Sequence, residues 1–171
     1  AVVAESKVYF VPSGARSVLI VDPALEIADE STISGLSARP QKWAGGVFSP
    51  ATGMIYCIPY SASSVLIIDP STDSSDSTTL QVTGIGAALP SKWWHGASGP
   101  DGRIYGMPYN APAILVIDPR ETRLDLLPVA GATGNEKWRG GVLALNGLIY
   151  GIPHSASHVL VIDAPVSGTV M

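Results

Sequence analysis

Histidines, tryptophans, tyrosines and a few basic residues are the side chains in this 171-residue chain whose types could do chemistry. The three histidines are His95, His154 and His158. Imidazole is a common zinc or copper ligand, so a metal site built from them is conceivable chemistry. His154 and His158 flank one short loop, however, and no Cys or Asp stands where it would complete a tetrahedron. No metal and no cofactor is expected. Cys57 is the single cysteine, which excludes an intrachain disulfide and a C-x-x-C site. Asp22, Asp69, Asp118 and Asp163 each close an apolar run, the first three directly before proline. Isolated carboxylates in that setting read as turn caps, not as acid pairs or calcium ligands. Asp73-Ser74-Ser75-Asp76 reads as a solvated loop. HExxH, GxSxG, Walker and dinucleotide signatures are missing, so a non-enzymatic role is expected.

The aromatic and basic residues are more informative, because they recur. Lys42-Trp43, Lys92-Trp93 and Lys137-Trp138 head three similar stretches. A tryptophan at the same place in each stretch reads as a wedge between repeats, since Trp buries a large apolar body and keeps one N–H for a partner. Function is expected where the copies disagree. Trp94 stands where the others have Ala44 and Arg139, and His95 where they have Gly45 and Gly140. Tyr60, Tyr109 and His154 align with Ser13. Trp94, His95, Arg139, Tyr60, Tyr109 and His154 are therefore the candidate partner-binding residues, given how Trp and Arg concentrate in interface hot spots.

The elements that must position them are short strands. KWAGGVFSPATGMIYCIPYSASSVLIIDP, from Lys42, returns from Lys92 and Lys137, and a shorter copy opens the chain. The aligned tyrosines, Tyr9, Tyr56, Tyr105 and Tyr150, are 47, 49 and 45 residues apart, a period that belongs to repeat architectures. Each unit divides at Gly, Pro and Asp-Pro turn signals into four strands. In the second unit these are Gly45–Phe48, Met54–Ile58, Val65–Ile68 and Thr78–Thr83. The fourth strands of the first and last units are the weaker stretches Ser31–Ser34 and Gly168–Val170. Runs such as Val-Leu-Ile-Ile, apolar at every position, need cover on both faces. Four-stranded units covered on both faces and repeated about an axis describe an all-β fold, a β-propeller of four blades at about 1–36, 42–84, 92–130 and 137–171 in a single domain.

The order Gly-Gly-Val, turn, Ile-Tyr-Gly, loop, Val-Leu-Val-Ile-Asp-Pro resembles the blades of YVTN and kelch-like propellers. The fuller Lys-Trp-x-Gly-Gly and Ile-Tyr-Gly-Ile-Pro form is similar to repeats of uncharacterised algal proteins. The resemblance implies the fold strongly and a function hardly at all. A closed four-bladed ring, blade 1 against blade 4, is favoured over an arc of a larger ring, with Gly45, Gly46, Gly96, Gly140 and Gly141 permitting close approach at a narrow axis.

Blade topology would put the Lys-Trp stretches, Tyr60, Tyr109, Trp94, His95, Arg139, His154 and His158 on one aromatic, cationic face and the four aspartates on the other. A net charge of −4 argues against a nucleic-acid partner. With 46% hydrophobic and 14% charged residues, the chain has the composition of a packed domain. No apolar run reaches the length of a membrane helix. The leading expectation is a non-catalytic scaffold binding protein partners as an accessory subunit of a larger assembly. The algal resemblance suggests a plastid complex of the photosystem type, entered after loss of a targeting peptide. A carbohydrate-binding propeller, and an enzyme with a site near the axis, are the alternatives.

Overall fold

A computed structural model describes residues 1–77, 80–84 and 88–164. Fifteen strands, and no helix, are found among these residues. Blade 1 consists of β1 (Val2–Ala4), β2 (Lys7–Phe10), β3 (Leu19–Asp22) and β4 (Ile27–Asp29). Blade 2 consists of β5 (Trp43–Ser49), β6 (Met54–Pro59), β7 (Leu66–Asp69) and β8 (Ser74–Asp76). Blade 3 follows with β9 (Trp93–Ser98), β10 (Ile104–Pro108), β11 (Ala113–Asp118) and β12 (Arg123–Pro128). Blade 4 holds β13 (Trp138–Leu143), β14 (Leu148–Pro153) and β15 (Leu160–Asp163). Every sheet is an antiparallel meander with its strands in chain order. The architecture is all-β and of the propeller type.

Local chemistry sets these hairpins. Glu5 and Ser6 both sit at positive φ between β1 and β2, as a two-residue primed turn requires, and Gly53 takes the positive φ before β6. On the outer side, Asp22 Oδ1 accepts from the Ala24 and Leu25 N–H groups, Asp69 Oδ1 from Ser71, and Asp118 Oδ1 from Arg120 and Glu121. These Asx-turns fix the return strand, because the aspartate pairs with the residue five positions on: Asp22 with Ile27, Asp69 with Ser74, Asp118 with Arg123. The fourth strands of blades 1 and 2 accordingly lie nearer their turns than Ser31–Ser34 and Thr78–Thr83. The Asp73–Asp76 stretch is no solvated loop, since residues 74–76 form β8. Asp73 accepts 2.6 Å from Lys7 Nζ and 2.5 Å from the Tyr9 hydroxyl, tying blade 2 to blade 1. Thr78 and Thr79 lie outside the described residues, as do Gly168–Val170. Leu80 and Val82 return to the core.

The apolar interior lies between blades. One core joins blades 1 and 2 around Tyr9, Trp43, Ile55 and Leu66. A second joins blades 2 and 3 around Tyr56, Ile58, Trp93 and Leu115. A third joins blades 3 and 4 around Tyr105, Met107, Trp138 and Ile149. Each tryptophan donates its indole N–H across its own blade, to Ser64 O, Ala113 O and His158 O respectively. The glycines of the inner strands serve this packing, not a crowded axis. A Cβ on Gly46 would meet Val11 at 3.0 Å, on Gly96 it would meet Ile58 at 3.1 Å, and on Gly141 Met107 at 2.9 Å. Gly45 and Gly140 occupy the positive-φ position of a β-bulge that interrupts β5 and β13 after the tryptophan.

Closure of the ring is not shown. The face of blade 4 that would meet a following blade exposes Val142, Ile152, Val159 and Val161, and the opposite face of blade 1 exposes Val3 and Phe10. No helix among the described residues is long and apolar enough to cross a membrane.

The lysines of the Lys-Trp pairs are inter-blade fasteners. Lys42, Lys92 and Lys137 are almost fully buried. Lys92 Nζ donates to Ala62 O at 2.8 Å and Leu89 O at 3.4 Å, Lys42 Nζ to Ala15 O at 2.8 Å and Arg39 O at 3.2 Å, and Lys137 Nζ to Tyr109 O at 3.1 Å and Gly134 O at 3.0 Å. Burial pushes all three ammonium groups down, Lys92 to about 8. Its folded value lies below its ordinary 10.5, so the unfolded chain binds more protons between about pH 8 and 10.5, and the contribution of this group to stability rises with pH there. Nitrogen-detected NMR of the side-chain amines should find Lys92 titrating near 8, well before the more exposed Lys7. A Lys92 midpoint at or above roughly 10, the ordinary lysine range, would show that the ammonium is solvated and not a buried fastener.

Candidate partner-binding face

A continuous chain of backbone hydrogen bonds positions the site. Lys42 N–H donates to Ser13 O, and Lys42 O accepts from Tyr60 N–H; Tyr60 O accepts from Lys92 N–H, and Lys92 O from Tyr109 N–H. Tyr109 O then accepts from Lys137 N–H, and Lys137 O from His154 N–H. The chain crosses all four blades on one face. It places one residue per blade, namely Ser13, Tyr60, Tyr109 and His154, at successive steps, and the side chains at those steps are left to choose their contacts. Ser61 Oγ and Asn110 Oδ1 reinforce it by accepting from the Ser91 and Glu136 N–H groups that lead into the next blade.

Three of the four steps are aromatic, and their rings meet. Tyr60 lies 5.8 Å from Tyr109, and Tyr109 lies 5.9 Å from His154. Trp94, from β9, packs edge-on to Tyr60 at 5.1 Å and tilted against Tyr109 at 5.5 Å. Arg139, from β13, holds its guanidinium 4.1 Å from the centre of the Trp94 ring. Five of the six candidate residues thus form one cluster across blades 2, 3 and 4. Tyr60 and Tyr109 are its floor, at 8% and 7% exposure, while Trp94 is half-buried and Arg139 and His154 are exposed. Burial, with Glu136 nearby, pushes the Tyr109 hydroxyl up, so it stays a neutral donor at physiological pH.

His95 stands apart from the rings. It occupies the bulge position held by Gly45 and Gly140, with φ at 58°, and its Nδ1 lies 2.8 Å from Gly96 O. Its ring fills the space beside Gly45, where an added Cβ would come within 2.4 Å of His95 Cδ2. It is a half-buried filler between blades 2 and 3, held in a backbone conformation that side chains disfavour. His158 packs against Trp138 at 5.7 Å. Among the described residues, no three His, Cys, Asp or Glu side chains are grouped to hold a metal ion.

The lysines do not belong to this surface. Their ammonium groups are turned onto loop carbonyls, so the cationic character of the face comes from Arg139. The sequence offered no sign of this, because Lys beside Trp reads equally as a solvated cation. Glu136 was also missed: its Oε2 is 3.8 Å from His154 Nδ1. Ser155 Oγ lies 3.3 Å from the same nitrogen. Ser155, His154 and Glu136 still form no nucleophilic triad, since hydroxyl and carboxylate both approach Nδ1, whereas base catalysis needs them on opposite nitrogens. Next to the cluster, a groove of about 420 Å³ runs between blades 1 and 2, lined by Leu36, Arg39, Trp43 and Ser61–Ser64 among others. The opposite face has a depression of about 500 Å³ beside Ser49, Asp101 and Arg120. There Asp101 accepts from the Tyr105 hydroxyl at 2.7 Å, and Arg103 bonds Asp118 at 2.9 Å.

No family model matches the chain, and no curated protein matches it. Solved structures do. Virginiamycin B lyase from Staphylococcus aureus, in a catalytically inactive form with quinupristin, superposes with a TM-score of 0.68 at 11% identity, over 96% of this chain and 54% of that one. Hydrazine synthase of Kuenenia stuttgartiensis gives 0.65 at 16% identity, over 92% and 43%. An auxiliary nutrient binding protein from Bacteroides ovatus gives 0.61 at 18% identity, over 92% and 35%. At these identities the likeness is one of fold, a β-propeller. The chain spans about half the length, or less, of each of these neighbours.

Two outcomes follow from the geometry. In a double-mutant cycle, Trp94→Leu and Arg139→Ala should show a coupling of about 0.5–1 kcal/mol in chemical unfolding, the range of a partly exposed cation–π pair, and additivity would refute the stacking. Gly45→Ala should cost more than about 2 kcal/mol, combining the positive φ with collision against His95. In a His95→Gly background the collision disappears, so thermal unfolding should show Gly45→Ala costing clearly less; an equal cost in both backgrounds would mean His95 does not fill that space.

Proposed function

We propose that this chain is a non-catalytic interaction module, a rigid propeller surface that docks a protein partner through the Trp94–Arg139 cluster. The observation that supports it is the convergence of the non-repeated residues. Trp94, Arg139, Tyr60, Tyr109 and His154, five of the six positions singled out by comparing the repeats, lie in contact across three blades, while His95 stands apart. A buried aromatic floor carrying one Trp and one Arg has the composition of an interface hot spot, with rigid anchors that lose little freedom on docking. Arg139 gives the patch a donor fork suited to a carboxylate of the partner, the indole an apolar flank. The adjacent groove offers room for a partner segment to continue towards blade 1. An accessory subunit of a larger assembly is the setting this reading favours, and a plastid complex is the one the repeat resemblance suggests.

The second reading is a sugar-binding propeller, with Trp94 as the stacking platform. The geometry weighs against it: Arg139 already lies over the indole, while Tyr60 and Tyr109 press against its sides, so a sugar ring would have to displace the guanidinium. A nutrient-binding neighbour of the same fold keeps it as the alternative.

Purification from the native source at low salt should carry the chain in a larger complex. In pull-downs, Trp94→Ala or Arg139→Ala should weaken partner recovery about tenfold or more, the loss of a hot spot of at least about 1.4 kcal/mol. Leu25→Ser, an exposed change on blade 1 away from the cluster, should leave recovery intact. Undiminished recovery by both cluster variants would remove the proposed face. Binding to a glycan array that is lost with Trp94→Ala would favour the sugar reading instead.

A further inference from the structure

The blade 4 surface formed by Val142, Ile152, Val159 and Val161 is the unfilled copy of an interface that the chain builds three times. Ile152 aligns with Ile58 and Met107, which are fully buried, yet Ile152 is 53% exposed. Val159 aligns with Val65 and Ile114, at 0% and 3%, but is itself 49% exposed. Val161 aligns with Val116 and Val142 with Ala97, both buried at 8%, against 52% and 55% here. In blades 2 and 3, the side chain at the Ile152 position seats on the inner-strand glycine of the next blade, Gly96 or Gly141. The backbone chain on the loop face points the same way. Ser13 O, Tyr60 O and Tyr109 O each accept from the lysine N–H of the following blade, and His154 O is the next acceptor in that series.

We propose that this face is a docking site for a further blade of the same repeat type, one beginning Lys-Trp-x-Gly-Gly-Val. The requirements are specific. Its glycine must lie over Ile152, its tryptophan must wedge beside Val159, and its lysine N–H must reach His154 O. A second copy of this chain meets them poorly. Its own uncovered incoming face is on blade 1, where the inner strand is Ala1-Val2-Val3-Ala4, with alanine at the glycine position. The chain covers 54% of a solved propeller of this fold, so the fold itself accommodates more blades than the four described here.

The test uses Ile152→Cys as a reporter, since Ile152 is exposed and the one native thiol, Cys57, is wholly buried. In the 171-residue chain the introduced thiol should react with a maleimide at the rate of an exposed cysteine, independent of protein concentration. Appending a copy of residues 88–136 after Met171 should slow that reaction about tenfold or more, as burial of a previously open position requires. Replacing the glycine of the appended blade that corresponds to Gly96 with valine should restore it, while an appended copy of residues 37–84 whose Cys57 is replaced by alanine should protect as well as the first. Protection below about threefold with both appended repeats overturns the proposal, because a seated blade must close the position for most of the time. Protection in the unextended chain that grows with its concentration also overturns it, and assigns the face to a second copy.

Discussion

Three buried lysines hold the blades to one another. Each of Lys42, Lys92 and Lys137 uses its N–H, its C=O and its side-chain ammonium to hold the loops of two blades together. Antiparallel meanders leave loop carbonyls without ladder partners, and a carbonyl buried between blades without a donor costs more than most single contacts gain. The ammonium supplies donors to several of them at once. Its own desolvation is unfavourable, as the downward shift of Lys92 shows, and it is tolerated because removing the lysine would leave the acceptors unmet. The tryptophan that follows fills the apolar space beside the staple, the bulge turns the strand, and the second glycine admits the side chain of the preceding blade. Lys-Trp-x-Gly-Gly is one joint, repeated.

A joint made of backbone and buried side chains leaves neighbouring positions free. The residues that alternate with the lysines in the hydrogen-bond chain are held by their own N–H and C=O, so their side chains carry no obligation to the fold. Ser13 shows that a small polar residue is sufficient. Placing Tyr, Tyr and His at the other three, with Trp94 and Arg139 in the unconstrained position of the joint, builds a connected surface without altering the scaffold. His95 is the converse case. It intrudes on the joint itself, accepting a backbone conformation that glycine holds elsewhere, and fills a space beside Gly45.

Much of this was legible in the sequence because its causes are local and recur. The strand order, the Asp-Pro hairpins and the inter-blade tryptophans follow from apolar periodicity, from Asx-turn chemistry and from the repeat. The outer strands of blades 1 and 2 were misplaced because their sequences, Ile27–Asp29 and Ser74–Asp76, have little β pattern; the turn register set by Asp22 and Asp69 decides where they pair. Comparison among the repeats singled out Trp94, His95, Arg139, Tyr60, Tyr109 and His154, but the mutual contact of five of them depends on the inter-blade hydrogen bonds, which join residues far apart in the chain, as Lys42 to Ser13 and Lys92 to Tyr60. The lysines misled for the same reason. Whether an ammonium faces water or a ring of carbonyls is a property of the assembled joint, and no single repeat contains all of it.

The location of the cluster ties it to the least supported part of the fold. Blades 2 and 3 are covered on both faces, whereas blade 4 packs against blade 3 and leaves Val142, Ile152, Val159 and Val161 exposed. In repeat proteins stability is close to a sum of unit and nearest-neighbour terms, so a blade lacking one neighbour opens at lower free energy than an internal one. Arg139 and His154 are carried by that blade, while Trp94, Tyr109 and Tyr60 are carried by the covered ones. The floor of the cluster is therefore carried by blades packed on both faces, and its Arg139 edge by the blade with one uncovered face. Covering the open face would remove freedom that a partner must otherwise remove on binding, which links the two surfaces through the order of blade 4 without any change in shape.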